Sequence, residues 1–294
     1  MSTQSYYVPD QSRWPILASM ALFLMAFGAG NMINALSAGD GGGVGLVMLL
    51  AGALGMGMIL VGWFGNVIKE SHSGLYSQQM DRSFRWGMSW FIFSEIMFFA
   101  AFFGTLFYVR NLAVPWLGGE GDKGVSNMLW QEFSSQWPLL STPDPQLYPG
   151  PQAVIDPWHI PLLNTILLIS SSFTVTLAHK ALKLGGRSRV VFWLAATILL
   201  GVIFLYFQAY EYAEAYNELG LTLHSGIYGA TFFILTGFHG LHVTMGTVML
   251  IIIWLRVLKG HFSEEKHFAF EAVSWYWHFV DVVWVGLFLF VYIL

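Results

Sequence analysis

Seven runs of mostly apolar residues follow one another near 15–36, 44–68, 84–111, 158–182, 190–217, 226–257 and 268–293. Each is long enough for the roughly 20 residues that one bilayer crossing takes. Short polar stretches separate them, so the pattern predicts an all-α polytopic membrane protein with seven transmembrane helices. The third, fifth and sixth runs exceed the minimum, which predicts tilt or extension past the hydrocarbon rather than additional spans. The chain divides accordingly into an N-terminal segment 1–14, helices one and two over 15–68, a loop over 69–83, helix three over 84–111, a long loop over 112–157, and helices four to seven over 158–294. The 112–157 segment holds seven of the ten prolines and is too polar and broken to span. It predicts an external cap with a short helix near 126–136.

Polar residues inside the apolar runs make a second pattern. Glu95 lies about ten residues into helix three, among Phe91, Ile92, Phe98, Phe99 and Phe102. The last two runs contain FHGLH at 238–242 and WYWHFVDVVW at 275–284. On a helix His239 and His242 share a face, while Glu271, Ser274, Trp275, His278 and Asp281 follow the 3.6-residue period as one stripe. Hydrocarbon accepts such groups only with partners, so the two stripes predict a polar seam inside a bundle, fixing helix seven against helices four to six. Helix three has no Lys or Arg between Trp86 and Val109. The expectation for Glu95 is therefore an uncharged acid that donates a hydrogen bond to a neighbouring helix, a structural and a proton-handling role being equally compatible with it.

His239, His242 and His278 are metal-ligand types, but a bis-histidine haem needs two opposed imidazoles at one depth. Two histidines on one face do not supply that, and buried hydrogen-bonded histidines with no metal are expected instead. Helix two is glycine-rich, with Ala51 and Gly55 at small-xxx-small spacing, and tight packing against helix one is predicted.

Composition narrows the function classes. Charged residues are 10% of the chain, against roughly 25% in soluble domains. The absence of cysteine excludes disulfides, iron–sulfur clusters and thiolate-bound metals. Eleven of the thirteen Lys and Arg fall on the side of the N-terminus, whereas acids including Glu120, Asp122, Glu211, Glu214 and Glu218 gather on the other. The positive-inside rule then predicts a cytoplasmic N-terminus and an external C-terminus. The first residues lack the order of a cleavable signal, so helix one is expected to act as an uncleaved anchor. No nucleic-acid partner is expected.

Four stretches, WGMSWFIFSEIMFFAAFF at 86–103, QAYEYAEA at 208–215, TGFHGLHVTMGT from Thr236 and KHFAFEAVSWYWHFVDVVW from Lys266, closely resemble subunit III of cytochrome c oxidase, the haem-copper terminal oxidase of respiratory chains. The resemblance covers nearly the whole chain and is weakest over residues 1–12 and 112–157. It implies a two-helix plus five-helix arrangement with a V-shaped cleft filled by lipid. It also implies a non-redox core subunit that supports assembly, proton uptake and turnover stability of a complex that reduces oxygen to water with electrons from cytochrome c and pumps protons. The chain itself would carry no cofactor but bind phospholipids. Haem and copper would sit on its partners, subunits I and II, and cytochrome c would be met only through the complex.

The resemblance also assigns residues. SEIMFF matches the family's intramembrane glutamate, which makes Glu95 a proton-linked acid reactive toward hydrophobic carbodiimide. Trp63 and Arg256 match positions lining the family's lipid sites, and His239 is grouped with them. Where the family commonly has Trp-Trp-Arg-Asp-Val, this chain has Trp63, Phe64, Gly65, Asn66 and Val67, so an arginine for phosphate is missing. The usual Gly-His-Thr is replaced by SGLYSQQ, leaving His72 as a substitute surface histidine. A bacterial plasma membrane is the expected location, with the mitochondrial inner membrane as the alternative. Two other readings remain. A transporter should show inverted repeats with broken helices, none of which is visible, and a retinal protein needs a lysine in its last helix, whereas none follows Lys266. The equivalent subunit of a quinol oxidase generally lacks the first two helices, so residues 15–68 favour cytochrome c as donor.

Overall fold

The structure, a computed structural model, describes residues 7, 8 and 11–294. The remainder of the N-terminal segment expected over 1–14 lies outside the described residues. Seven helices are long and apolar enough to cross a membrane: α1 (Trp14–Ser37), α2 (Gly43–His72), α3 (Gln78–Leu117), α4 (Ile160–Lys183), α5 (Arg187–Asn217), α6 (Gly226–Leu258) and α7 (Phe268–Ile293). No strand occurs among the described residues. The chain forms two compact units, one ending at Phe84 and one running from Arg85 to Leu294.

In the first unit α1 and α2 make an antiparallel hairpin. Pro15 opens α1 where a missing N–H costs nothing, and Gly42, at φ +62°, turns the chain into α2. The seam is backbone against backbone. A Cβ on Gly45 would lie 2.3 Å from Met32 N, and one on Gly28 would lie 2.5 Å from Leu49 N. Gly52 meets Met25 in the same way. The close packing is as expected, but Ala51 is exposed and the contacts pass through Gly45 and Gly52 instead. These two are seven apart, so they recur on one face of an antiparallel pair.

Both α2 and α3 extend past their apolar runs, which reduces the expected 69–83 loop to residues 73–77. Polar helix formers such as Lys69, Glu70 and Gln79 continue the helices beyond the hydrocarbon. Tyr76 closes this turn by donating to Glu70 Oε2 at 2.8 Å. Burial and the adjacent Glu70 carboxylate raise its phenol above the usual tyrosine range.

The second unit is built around α7, the most buried of the seven spans. Trp277, Trp284 and Tyr276 are among its largest fully buried side chains. Trp277 fits because Gly201 of α5 and Gly246 of α6 leave its ring room, a Cβ at either lying within 2.9 Å of it. Its indole N–H donates to Ser171 Oγ at 2.9 Å, and that of Trp284 to Thr165 Oγ1 at 3.0 Å. Both acceptors belong to α4.

α3 continues through a widened turn at Val109–Ala113, which absorbs the donor that Pro115 lacks. The external segment therefore begins later than expected. A short 3-10 helix at Gly124–Leu129 answers to the helix expected near 126–136, but it starts and ends earlier. Asn127 Nδ2 donates to Leu117 O at 3.0 Å and to Trp130 O at 3.2 Å, closing the chain before that helix can propagate further. Phe133, Leu139 and Ile155 bury this cap in the core of the second unit.

The glycine seam gives a paired test. Gly52→Ala places a methyl 2.8 Å from Met25 N, whereas Gly57→Ala meets nothing within 4 Å. Gly52→Ala should destabilise the hairpin by about 1–3 kcal/mol and Gly57→Ala should not, as read by thermal loss of helical circular dichroism in detergent. Equal melting of the two variants would show that the seam is not close-packed.

Candidate functional site

Glu95 of α3 and His242 of α6 meet inside the membrane span, with Glu95 Oε2 2.9 Å from His242 Nε2. At about 1.5 Å per residue, Glu95 lies about 15 Å along the helix from Arg85. The other imidazole nitrogen fixes the tautomer. His242 Nδ1 is 2.6 Å from the Phe238 carbonyl, which can only accept, so Nδ1 carries hydrogen. The contact between Nε2 and Oε2 then holds a single proton, either as carboxylic acid beside imidazole or as carboxylate beside imidazolium.

Aromatic rings surround the pair. Phe99 packs edge-on to His242 with centroids 5.0 Å apart, and Tyr276 stacks on it at 6.3 Å and 14°. The imidazole is nearly enclosed, with 9% of its side chain exposed, whereas Glu95 keeps 23% on the surface of the unit. The acid thus has a base on the inside and an open side facing outward. The expected hydrogen bond to a neighbouring helix is present. The base that makes it lies 147 residues away and could not be found within helix three.

Elsewhere the polar seam divides. His239, fully buried, places Nε2 3.2 Å from Val280 O between the rings of Phe204 and Trp284. It therefore faces α5 and α7, while His242 faces α3. Three residues on a helix are 300° apart, and here that offset separates the partners. His278 places Nδ1 2.6 Å from Ser172 Oγ on α4, and the same hydroxyl lies beside the buried Asp281 carboxyl. Glu271 pairs with Arg85 Nη1 at 2.8 Å. The three histidines weighed as metal ligands thus look toward three different partners and do not converge.

The seven-span fold agrees with what the chain is similar to. The family model described as cytochrome c oxidase subunit III matches residues 4–122 and 127–294. The chain belongs to this family. Proteins called cytochrome c oxidase subunit 3 resemble it over nearly their whole length. That of Prototheca wickerhamii is 40% identical, with 99% of this chain and 98% of the relative covered. That of Marchantia polymorpha is 39% identical, covering 98% and 95%, and that of Danio rerio is 35% identical, covering 98% and 96%.

For a subunit III chain, two expectations need correction. His239 has no exposed surface, so a lipid headgroup does not reach it, and its grouping with Trp63 and Arg256 fails for want of access. Trp63 is 41% exposed, and Arg256 stacks over Phe262 at 4.5 Å. Glu211, counted among the external acids, is fully buried instead and accepts from Tyr292 at 2.5 Å. Burial there was hidden because Gln208, Glu211 and Glu214 stand close together near the end of α5, and such a cluster reads as solvated. The acceptors Ser171, Ser172 and Thr165 were also missed, although the serine run at 170–172 inside an apolar helix was their signal.

Replacing His242 tests the shared proton. In His242→Phe the carboxyl is the one remaining seat for it, so hydrophobic carbodiimide, which attacks the acid form, should label Glu95 about tenfold faster, the scale of a lost charge-assisted hydrogen bond. Unchanged or slower labelling would show that the imidazole does not share the proton.

Proposed function

We propose that this chain serves its oxidase as a non-redox core subunit that steadies the complex and holds an exchangeable proton inside the membrane. It is the subunit III component of cytochrome c oxidase, the proton-pumping complex that reduces oxygen with electrons from cytochrome c. Haem and copper are assigned to subunits I and II, against which this chain packs. The carrying observation is the Glu95–His242 pair, an acid and a base sharing one proton at membrane depth with the acid partly open. A purely structural acid would be better enclosed on all sides.

Phospholipid binding is proposed at Trp63 and Arg256. Arg256 stands in the last turn of α6 and is only partly buried, so its guanidinium offers N–H donors that a headgroup phosphate accepts. The α1–α2 hairpin favours cytochrome c over quinol as the donor of the parent complex. The membrane is proposed to be a bacterial plasma membrane with the N-terminus cytoplasmic. The relatives, from an alga, a liverwort and a fish, bring forward the mitochondrial inner membrane as the alternative.

Removing this chain from the detergent-solubilised complex should leave most of the initial oxidase rate but cut the number of turnovers before inactivation several-fold. Oxygen consumption followed to exhaustion checks this. Immediate loss of haem or copper absorption on removal would overturn the non-redox reading.

A further inference from the structure

At the end of the second unit that carries most of its lysines and arginines, three side chains converge that no part of the proposed function uses. His179 stands one turn before the end of α4, His267 immediately precedes α7, and Glu271 lies in the first turn of α7. One ligand atom of each lies within 4.8 Å of the others. The turn before α7 is held by Lys266 N donating to Ser263 Oγ at 3.1 Å. His267 Nδ1 is 3.1 Å from Ser263 O. A carbonyl only accepts, so Nδ1 carries hydrogen and Nε2 presents its lone pair. His179 Nε2 is buried without a hydrogen-bond partner among the described residues, and its ring stands 5.5 Å from that of His267. Glu271 gives Oε2 to Arg85 at 2.8 Å, which leaves Oε1.

We infer that His179, His267 and Glu271 form a binding site for a divalent cation of the zinc type. Two imidazoles and a carboxylate are a three-ligand set that suits tetrahedral Zn²⁺, with water completing the fourth position. Imidazole nitrogens disfavour Mg²⁺ and Ca²⁺, which take oxygen ligands. Arms of about 2.1 Å give tetrahedron edges of about 3.4 Å, so the ligand atoms close by about 1.4 Å at most. His267, on the turn, and Glu271, on the outermost turn of α7, are placed to make that movement. Two contacts already orient ligands as outer partners do around metals: Ser263 O on His267, and Arg85 on Glu271. Arg85 and the nearby Lys183 oppose the cation's charge, which makes this a reversible site. When bound, the ion ties the end of α4 to the start of α7.

The test is Zn²⁺ titration of the intact, chelator-washed oxidase complex by calorimetry, comparing the parent with His179→Gln and His267→Asn. The expected result is one Zn²⁺ site weakened at least tenfold in each variant, with excess Mg²⁺ failing to compete in the parent. X-ray absorption of the bound zinc should show imidazole scattering that falls in His267→Asn. Identical stoichiometry and affinity in the parent and the variants would overturn the assignment. Should His179→Gln fail to enter the complex, His267→Asn, on the partly exposed turn, decides alone.

Discussion

Hydrocarbon offers a polar side chain nothing to bond with, and the second unit of this chain is arranged around that constraint. Its most buried helix, α7, carries two fully enclosed indoles, a histidine and an aspartate. Each indole N–H and the histidine find a hydroxyl on α4. Side chains of that bulk enter only because α5 and α6 present glycines where Trp277 passes. Packing of the indoles and the hydrogen bonds of these three side chains are thus satisfied by the same placement of α7.

The acid and imidazole on α3 and α6 obey the same constraint with a different result. A hydroxyl would have neutralised the problem permanently, as it does for the indoles. A base of adjustable protonation leaves the pair able to gain or lose a proton, and the backbone carbonyl behind His242 dictates which nitrogen takes part. Arg85 and Glu271 pin α3 to α7 near the membrane surface, so the deeper pair is held between helices fixed at another level.

The seven spans were legible because crossing a membrane demands long apolar runs, and those runs dominate this composition. The importance of Glu95 was legible for the complementary reason that a carboxylate there violates the pattern. Its partner was not, because His242 and His239 look equivalent by helical spacing and only the tertiary rotation of α6 sends one toward α3 and the other toward α7. Helix ends were blurred where polar helix formers carried α2 and α3 into water, and Glu211 was placed outside because it stands among other polar residues near the end of α5. The α1–α2 seam was read correctly as small-residue packing but on the wrong residues, since a glycine-rich helix offers several small-residue faces and the neighbour selects one.

The single proton between Glu95 and His242 has an electrostatic consequence. With that proton in place, on either atom, the pair has no net charge, and from a neighbouring protein it is felt only as a dipole whose field fades quickly with distance. Adding or removing one proton turns it into a monopole in a medium that screens poorly. The site is therefore quiet at rest and conspicuous when its occupancy changes. Because one flank of the acid is open at the protein surface, whatever lies against that flank is the first to sense the difference.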